Sequence, residues 1–591
     1  MFGFVHKQVR YFLVSIRKKF SERQFLLLAC VIVGLSSGSA AITLKLFAFH
    51  IHRLIDEKTQ GTAWTFLYVL LPSIGIFFTV WFINKILKGN FLKGNDKIIY
   101  AIAKKSSILP FSQIYSHGIT SALTVGSGGS AGLESPIVAT GAAIGSNFAR
   151  TYYLSYKERT LLLACGVAGG IAAAFNAPIA GVLFALEVFL IDVSINAFIP
   201  LIIAAASGAL LSKIILKEGI LLYFKLEQPF NYNNVPFYII LGLLAGAVSL
   251  YYAKVFTFLD HKLLAIKLKY KRALIGSLLL AILILFFPSL FGEGYSSISS
   301  LAEIRPELIF QKSIIKDVFT NEWMIFVGVT LVMFFKVFAA AFTIGGGGNG
   351  GNFAPSLFVG AYLGFAFSAL LHLLHVHNIP DSNYTIVAMA GVLSGVVYAP
   401  LTGIFLIAEI TGGYELMIPL MIVSATSYMI VKAFEPVSME MKNLLLHRNV
   451  YVHNKDKFLL NRLEISELIE TDYDRLDANQ QLPTIADIIT QSKRNTFPVV
   501  DKKGKLLGII KLINIKSILF QPEQNKKIYA KELMEKPPAV IELTEDLNSI
   551  MDKFDTTGVD QLPIVDKEIY IGFMSKTMLL TRYRKEILDS F

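Results

Sequence analysis

The residues in this sequence best suited to bind a ligand form a glycine-rich stretch at positions 126–136, which carries one carboxylate, Glu134. Glycines let backbone N–H groups approach a ligand closely. The proline that ends the stretch, Pro136, is typical of the first turn of a helix, where a missing N–H costs nothing. Because the first N–H groups of a helix are unpaired and its N-terminus is positive, such a turn favours an anion. The stretch therefore predicts an anion site with an acidic side chain beside it.

The same stretch recurs 219 residues further along the chain, with one difference that bears on function. The repeated positions are Gly126, Gly128, Gly129, Gly132 and Pro136 in the first copy and Gly345, Gly347, Gly348, Gly351 and Pro355 in the second. Phe353 stands at the position that matches Glu134. The copies predict two helix N-termini that converge on one anion, with Glu134 as a gate displaced by the anion or by a proton. Capping of its own helix is the alternative role for Glu134, although a cap needed for folding would be expected in both copies.

The other side chains of the two stretches indicate what kind of anion would fit. They include serine, asparagine, leucine and phenylalanine, and no basic cluster accompanies them. A tight phosphate site would be expected to carry arginine or lysine. The pattern favours a small, weakly hydrated anion that is released quickly.

The composition shows what kind of chain must position these residues. Of 591 residues, 54% are hydrophobic and 17% are charged, whereas soluble domains are about 25% charged. Long apolar runs cover residues 25–49, 64–86, 235–255, 274–287, 324–342, 385–406 and 416–431. Most approach or exceed the roughly 17–25 residues that a membrane-spanning helix needs. An all-α polytopic membrane domain is therefore predicted, followed by a C-terminal α/β region of soluble composition.

The repeats and the change in composition near residue 440 predict the domain organisation. The expected boundaries are 1–22 for a basic N-terminal segment, 23–440 for the membrane domain with halves at about 23–215 and 235–440, 441–457 for a linker, and 458–522 and 523–591 for two C-terminal domains. Duplicated membrane proteins often place the substrate site where their repeats meet, on broken helices near the middle of the bilayer.

Charge predicts how the chain is oriented. The N-terminal segment is basic and shows no cleavable signal peptide, which predicts a cytoplasmic N-terminus. The net charge of +12 is attributed to contact with the inner leaflet rather than to nucleic acid. The expected location is the plasma (cytoplasmic) membrane, with the N-terminus and the C-terminal domains in the cytoplasm.

Two motifs resemble those of a known family. Residues 132–136, Gly-Leu-Glu-Ser-Pro, resemble the G-K/R-E-G-P motif of the CLC family of chloride channels and proton/chloride exchangers. Residues 351–355, Gly-Asn-Phe-Ala-Pro, resemble the family's G-x-F-x-P motif, and residues 175–187 are also similar to the family. The resemblance implies a homodimer in the lipid bilayer, with one anion pathway per subunit and halves of inverted topology.

The resemblance also implies roles for individual residues. Glu134 would be the external gating glutamate, and Asn352 and Phe353 would donate backbone N–H groups to the central anion. The full set of expected anion-binding residues is Gly132, Leu133, Glu134, Gly351, Asn352, Phe353 and Ala354. The implied function is transport of chloride or a similar small anion, with protons as a second substrate in the exchanger mode.

Three positions depart from the family pattern. Residues 92–97, Leu-Lys-Gly-Asn-Asp-Lys, stand where the family has G-S-G-I-P, so the serine ligand is missing. Residues 439–441, Met-Glu-Met, stand where a tyrosine is expected. Val188 follows Glu187 where exchangers commonly have a second glutamate. Val188 favours the channel-like mode, with a proton-coupled chloride or fluoride exchanger, or a transporter of another small anion, as alternatives.

The C-terminal region contains a second repeat. Pro498 and Pro563, 65 residues apart, each lie in an apolar strand followed by a turn and another strand. This resembles a tandem pair of CBS domains, which often bind adenine nucleotides through Ser or Thr followed three residues later by Asp. The corresponding positions are Lys511 and Asn514 in one copy and Ser575 and Met578 in the other. Because the aspartate is missing, a structural or dimer-stabilising role is favoured over nucleotide binding.

Other residues carry weaker expectations. No hydrolytic triad, phosphate loop or metal cluster is apparent in the sequence, so neither enzyme activity nor a metal or other cofactor is expected. Glu187 and Glu409, at matching positions of the two halves, are expected to pack or cap helices. Cys30 and Cys165 are expected in the core without a disulfide. Lys336 either raises the local positive potential or extends to an interface. A nucleotide-sensing regulator that uses its membrane part only as an anchor is a further alternative.

Overall fold

A computed structural model describes most of the chain. The described residues are 20–58, 65–189, 195–216, 230–376, 379–442, 465–519, 527–545 and 547–589. The chain divides into two units, Met1–Val450 and Tyr451–Phe591. Residues 1–19 of the expected basic segment and 443–457 of the expected linker lie outside the described residues.

The first unit consists of α-helices. Those described are α1 (Glu22–Lys58), α2 (Thr65–Lys85), α3 (Asn95–Lys104), α4 (Gln113–Gly126), α5 (Glu134–Thr151), α6 (Tyr156–Phe175), α7 (Pro178–Phe189), α8 (Ile195–Leu216), α9 (Val235–Leu264), α10 (Lys269–Phe286), α11 (Tyr295–Ala302), α12 (Glu322–Gly345), α13 (Phe353–Leu373), α14 (Asp381–Val397), α15 (Pro400–Ile410) and α16 (Met417–Phe434). Within the described residues, eight segments are long and apolar enough to cross a membrane. The predicted multi-pass membrane domain is confirmed.

The two halves break their helices in the same way. Asn176 follows the last residue of α6 and Tyr398 follows the last residue of α14, and both have left-handed backbone conformations, with φ of 52° and 64°. An Ala-Pro pair follows each, and its proline begins the short helices α7 and α15, of 12 and 11 residues. A left-handed residue ends a helix, and a proline at the next helix start prevents the two from merging. The repeat seen in the sequence is therefore a repeat of backbone shape.

Glycines bring equivalent helix pairs into close contact. Helix α5 crosses α6 where a Cβ added to Gly141 would overlap the carbonyl oxygen of Gly166. Helix α13 crosses α14 where a Cβ on Gly360 would lie 2.6 Å from the Ala388 carbonyl oxygen. Small residues allow helix backbones to approach closely in membrane proteins. These crossings fix the directions in which α5 and α13 begin.

The two cysteines have the core position expected for them. Cys30 on α1 and Cys165 on α6 are both free and fully buried. Their Sγ atoms lie 3.7 Å apart. The spacing of the two residues in the sequence does not indicate this contact, because it depends on how α1 packs against α6.

The second unit contains two similar α/β domains. Its described elements are β1 (Leu476–Asp477), α17 (Leu482–Gln491), β2 (Thr496–Val500), β3 (Leu506–Lys511), α18 (Leu512–Leu519), α19 (Ala530–Leu533), β4 (Ile541–Glu542), α20 (Leu547–Thr557), β5 (Gln561–Asp566), β6 (Ile569–Ser575) and α21 (Lys576–Asp589). The sheets have the orders β1-β2-β3 and β4-β5-β6, each with one parallel and one antiparallel pair. The predicted α/β pair is confirmed.

An ion pair outside the membrane domain gives a pH prediction for the second unit. Arg494 donates hydrogen bonds of 2.6 Å and 3.2 Å to the carboxylate of Asp472. These bonds hold the pKa of Asp472 below its ordinary value. A depressed pKa contributes stability that is present above the ordinary pKa, about 3.9, and is lost as pH falls through the folded-state value. We expect Asp472→Asn to weaken the protection of β1–β3 amides from hydrogen exchange at neutral pH. We also expect this protection to decrease less in the variant than in the unmodified chain when the pH is lowered.

Hydrogen exchange of β1–β3 peptides in the full chain, corrected for the intrinsic pH dependence of exchange, measures this effect. Asp474→Asn is the matched control, because Asp474 is an exposed carboxylate two residues away. Equal changes in the two variants would contradict the role assigned to the Asp472–Arg494 pair.

Candidate anion site

The two glycine-rich stretches meet at equivalent residues. The N–H group of Gly132 donates to the carbonyl oxygen of Gly351 at 2.9 Å, and the N–H group of Gly351 donates to the carbonyl oxygen of Gly132 at 2.9 Å. The pairing is antiparallel. Equivalent residues that pair antiparallel are related by a local two-fold rotation, which is the relation expected of inverted halves. The predicted convergence of the two copies therefore occurs at the backbone itself.

Side chains from the preceding helices hold the two loops reciprocally. The N–H group of Ser130 donates to Thr343 Oγ1 at 3.0 Å. The N–H group of Asn349 donates to Thr124 Oγ1 at 2.9 Å. Thr124 and Thr343 are separated by the same 219 residues as the glycines, so the sequence repeat extends to these supporting residues. The offset alone identifies the two threonines in the sequence, outside the glycine motifs.

Two helices begin at this meeting point. Helix α5 starts at Glu134 after Leu133, and α13 starts at Phe353 after Asn352. Their prolines are the third residues of the helices, which is still within the turn whose N–H groups have no partner inside the helix. Ala354 is close as well, because a Cβ on Gly132 would lie 2.9 Å from its Cβ. The structure thus brings together all seven residues that the sequence suggests for anion binding.

Glu134 is held by a side chain from outside the motif. It is only 1% exposed, and its Oε1 accepts a hydrogen bond of 2.7 Å from the hydroxyl of Tyr295. Among the described residues, no group donates to its Oε2. Its contacts therefore differ from those of a helix cap, in which the carboxylate would accept N–H groups of α5. The alternative of a simple cap is not what the structure shows.

Buried charges of both signs surround this carboxylate. Lys45 on α1 is 8% exposed, donates to the carbonyl oxygen of Ala174 at 2.9 Å, and interacts electrostatically with Glu134 and Glu293. The Oε1 atom of Glu293 accepts the N–H group of Leu133 at 3.0 Å. The cluster thus places one lysine and a second carboxylate beside Glu134.

Lys336 is the second lysine of this cluster. It is fully buried and donates to the carbonyl oxygen of Gly292 at 3.0 Å, and it interacts electrostatically with Glu293. Its ammonium group also lies 4.5 Å from the centre of the Phe358 ring. Lys336 therefore raises the local positive potential and does not extend to an interface. The cluster therefore contains two lysines, Lys45 and Lys336, and two carboxylates, Glu134 and Glu293.

Two cavities lie next to the Glu134–Tyr295 pair. The smaller, of about 20 Å³, is lined by Asn95, Glu134, Ser135, Phe353, Ser438 and Glu440, among others. The larger, of about 230 Å³, is lined by Lys45, Glu293, Tyr295 and Ser299, among others. A volume of about 10–15 Å³ on this measure is enough for one water molecule. The smaller cavity is thus sized for a single small species, and the Glu134–Tyr295 hydrogen bond joins its wall to that of the larger one.

Two residues at the departures from the family pattern also line the small cavity. Asn95 is the first residue of α3, after Gly94 with its φ of 92°. Its Nδ2 donates to Glu440 Oε1 at 3.2 Å, and its Oδ1 accepts from Ser135 Oγ at 3.3 Å. The positions where serine and tyrosine are missing therefore carry an amide and a carboxylate that contact each other.

The two glutamates of the Ala-Pro segments cap each other's helices. Glu187 on α7 accepts the N–H groups of Leu401 and Thr402 at the start of α15, at 2.9 Å and 2.8 Å. Glu409 on α15 accepts the N–H groups at positions 179 and 180, at the start of α7, at 3.0 Å and 2.8 Å. The predicted capping role is confirmed, and each cap is supplied by the other half.

Tyr295 and Glu293 are functional candidates that the sequence reasoning missed. They belong to the segment Gly292-Glu293-Gly294-Tyr295, in which both glycines have positive φ, 63° and 90°. The N–H group of Gly292 donates to the carbonyl oxygen of Gly128 in the first glycine-rich stretch, at 2.9 Å. A carboxylate between two glycines after an apolar run is the signal that would have identified this segment.

The second unit contains a cavity of about 580 Å³ in its first α/β domain, lined in part by Thr496, Lys511, Ile513 and Lys516. Lys511 and Asn514 occupy the positions where a ribose-binding pattern would lie. Both contact Glu535, through an ion pair of 2.6 Å and a hydrogen bond of 2.9 Å. Their polar groups are therefore engaged within the unit.

Comparison with known proteins agrees with this geometry. A family model described as voltage gated chloride channel matches residues 74–432, and a CBS domain model matches residues 465–520 and 530–585. The chain is 30% identical over 311 residues to a voltage-gated ClC-type chloride channel ClcB of Escherichia coli, which covers 51% of this chain and 69% of that protein. It is 30% identical over 337 residues to the H(+)/Cl(-) exchange transporter ClcA of Vibrio parahaemolyticus, and this match covers 55% of this chain and 68% of that protein.

A solved structure supports the fold of both units. A eukaryotic CLC transporter aligns with a TM-score of 0.60 at 18% identity, over 96% of this chain and 98% of that one. At this identity the likeness concerns the fold alone. The resemblance inferred from the motifs is confirmed by the family matches.

Proposed function

The chain belongs to the voltage gated chloride channel family, and from that premise we propose that it carries chloride or a similar small anion across the membrane, in a channel-like mode gated by Glu134. The observation that carries the proposal is the pairing of Gly132 with Gly351, which directs two helix N-termini at one small cavity lined by Glu134. Two positive helix ends favour an anion there, and a single carboxylate competes with it.

The chemistry of the site suits passage rather than storage. Each helix N-terminus contributes about 0.3–1 kcal/mol to the binding of a negative group, and up to about 2 kcal/mol when partly buried. Lys45 and Lys336 are both engaged by backbone carbonyl oxygens and act on carboxylates that offset their charge. An anion in the small cavity is therefore attracted but not trapped.

Proton-coupled exchange is the second candidate function. Glu293 favours it, because this second carboxylate lies beside Glu134 and interacts with it electrostatically. Val188 favours the channel-like mode, because an apolar side chain there supplies no proton-carrying group. Fluoride in place of chloride and other small anions remain alternative substrates within both modes.

Flux through reconstituted vesicles tests the proposal. Chloride efflux above that of empty vesicles is expected, and its absence at every pH would overturn the proposed function. The reversal potential under a pH gradient separates the two modes, since a value displaced from the chloride Nernst potential indicates proton coupling. A competition series of halides then ranks chloride against fluoride.

The assembly and orientation are part of the same proposal. A homodimer with one pathway per subunit is supported by membership of the family. A plasma-membrane location with a cytoplasmic N-terminus is supported by the basic residues of 1–22. The tandem CBS domains are proposed to stabilise the dimer.

Tyr295→Phe tests the contact that holds the gate. A typical hydrogen bond contributes about 0.5–1.5 kcal/mol net, so the variant should release Glu134 and raise passive chloride flux about threefold or more. The pH dependence should persist, because the carboxylate is still present. Vesicle efflux as a function of pH measures both effects.

Tyr251→Phe is the matched control for this change. The hydroxyl of Tyr251 donates to the carbonyl oxygen of Phe334 at 3.2 Å and lines neither of the two cavities described at the site. Equal flux in the two variants would show that the Tyr295–Glu134 contact does not restrain the gate.

A further inference from the structure

The small cavity has a second carboxylate on its wall, Glu440, to which the proposed gating by Glu134 assigns no role. Glu440 lines the cavity together with Glu134, and it is only partly exposed. Its Oε1 accepts a hydrogen bond of 3.2 Å from the amide nitrogen of Asn95. The amide oxygen of Asn95 in turn accepts a hydrogen bond from the hydroxyl of Ser135, the residue after Glu134. A line of polar groups thus joins Glu440 to the start of α5.

The charges around Glu440 differ from those around Glu134. Glu134 has Lys45 as an electrostatic partner. The charged group that acts on Glu440 is Asp96, which has the same sign and is itself paired with Lys97 at 2.7 Å. Glu134 faces the same cavity and is also acidic. A charged Glu440 therefore has no compensating cation among these groups, and it repels an anion that enters the cavity.

The two carboxylates also differ in what lies behind them. Glu134 is bonded to Tyr295, which lines the larger cavity of about 230 Å³. Glu440 is bonded to Asn95 at the start of α3, and neither residue lines the larger cavity. Glu134 is thus linked through Tyr295 to the larger cavity, and Glu440 has no such link among its described contacts.

We propose that Glu440 is a second gating carboxylate, which lets an anion enter or leave the small cavity when it binds a proton from the adjoining solution or turns away from Asn95. The inference rests on the proposed anion passage. It gives the transport site two acidic gates, Glu134 on the side of Tyr295 and Glu440 on the side of Asn95.

A purely structural role for Glu440 makes a different prediction. As a brace, Glu440 would serve only to accept the Asn95 amide and so fix the start of α3. Glutamine at position 440 keeps a carbonyl oxygen that can accept the same bond, but it cannot bear a negative charge. Glu440→Gln therefore preserves the brace and removes the gate.

The experiment measures chloride efflux from vesicles between about pH 5 and about pH 8, in a Glu134→Gln background that removes the first gate. With Glu440 intact, efflux should fall as pH rises, approaching about tenfold per unit above the midpoint, as for a single titrating proton. With Glu440→Gln added, efflux should stay near the acid value throughout. Glu435→Gln is the matched control, because Glu435 lies on the same segment, pairs with Lys442 at 2.8 Å and does not line the cavity.

A second variant keeps the inference testable if Glu440→Gln does not fold. Asn95→Ala removes the donor that stabilises the charged carboxylate, so the midpoint of the efflux profile should move to higher pH. A pH profile that is the same in Glu440→Gln or Asn95→Ala as in the Glu435→Gln control would overturn the second gate. Absence of anion flux in the unmodified chain would instead overturn the proposed function, so the two failures are distinguishable.

Discussion

Replacing Glu134 with glutamine is expected to raise passive chloride flux about tenfold or more at neutral pH and to remove the part of the pH dependence that Glu134 contributes. The charged cluster gives the reason. Glutamine in place of Glu134 removes one carboxylate from a cluster of two acidic and two lysine side chains, so the potential at the site becomes more positive. At a separation of about 6 Å and an effective dielectric constant of about 20, the interaction energy between one unit charge and a monovalent anion is about 3 kcal/mol. An anion that had to displace a carboxylate then enters an attractive site.

Vesicle efflux and the reversal potential under a pH gradient measure this prediction. Glu322→Gln is the matched control, because Glu322 is also the first residue of a long apolar helix, but it is exposed. Flux in Glu134→Gln that equals the control would exclude Glu134 as a gate. A flux that rises while proton coupling is lost would favour the exchanger mode for the unmodified chain.

Removing the reciprocal caps between the halves is expected to cause the largest loss of stability. Glu187→Ala leaves two backbone N–H groups and the Thr402 hydroxyl, which donates to Glu187 at 2.6 Å, without their acceptor. Each hydrogen bond to a charged group is worth about 1.5–3 kcal/mol, so a loss of about 3 kcal/mol or more is expected. Glu409→Ala should cost less, because Glu409 accepts two backbone N–H groups and no hydroxyl among its described contacts.

The thermal unfolding midpoint, measured in detergent micelles, ranks the stability of these variants. Glu187→Gln should fall between the unmodified chain and Glu187→Ala, since one carbonyl acceptor remains. Glu415→Ala, in the exposed loop between α15 and α16, is the control for loss of a carboxylate. If Glu187→Ala lowered the midpoint no more than Glu415→Ala, the cap would have no measurable energetic role.

The features that the two repeats share could be predicted from the sequence. Gly132 and Gly351 were expected to converge, and they pair directly. The offset of 219 residues and the glycine pattern together specify a backbone shape that two copies can share. Glu187 and Glu409 are expected to pack or cap helices for the same reason, although the exchange of caps between the halves depends on packing.

Contacts that the repeat does not encode could not be predicted. Tyr295 reaches Glu134 across 161 residues, and Asn95 reaches Glu440 across 345. These residue types are ordinary in loops and at helix ends, so only the packing of distant helices shows that they face one cavity. In the second unit, β1 and β4 have two residues each, too few to show an alternating pattern.

The hydrogen bonds between Gly132 and Gly351 limit how access to the site can change. Many duplicated transporters expose their site to each side of the membrane by rocking one repeat against the other. Here the two repeats are joined by main-chain hydrogen bonds at the site itself, and Thr124 and Thr343 join them again. Rocking would have to break these bonds in an apolar interior in every cycle. In either transport mode, access to the site is therefore expected to change through side-chain rotation around a stationary centre.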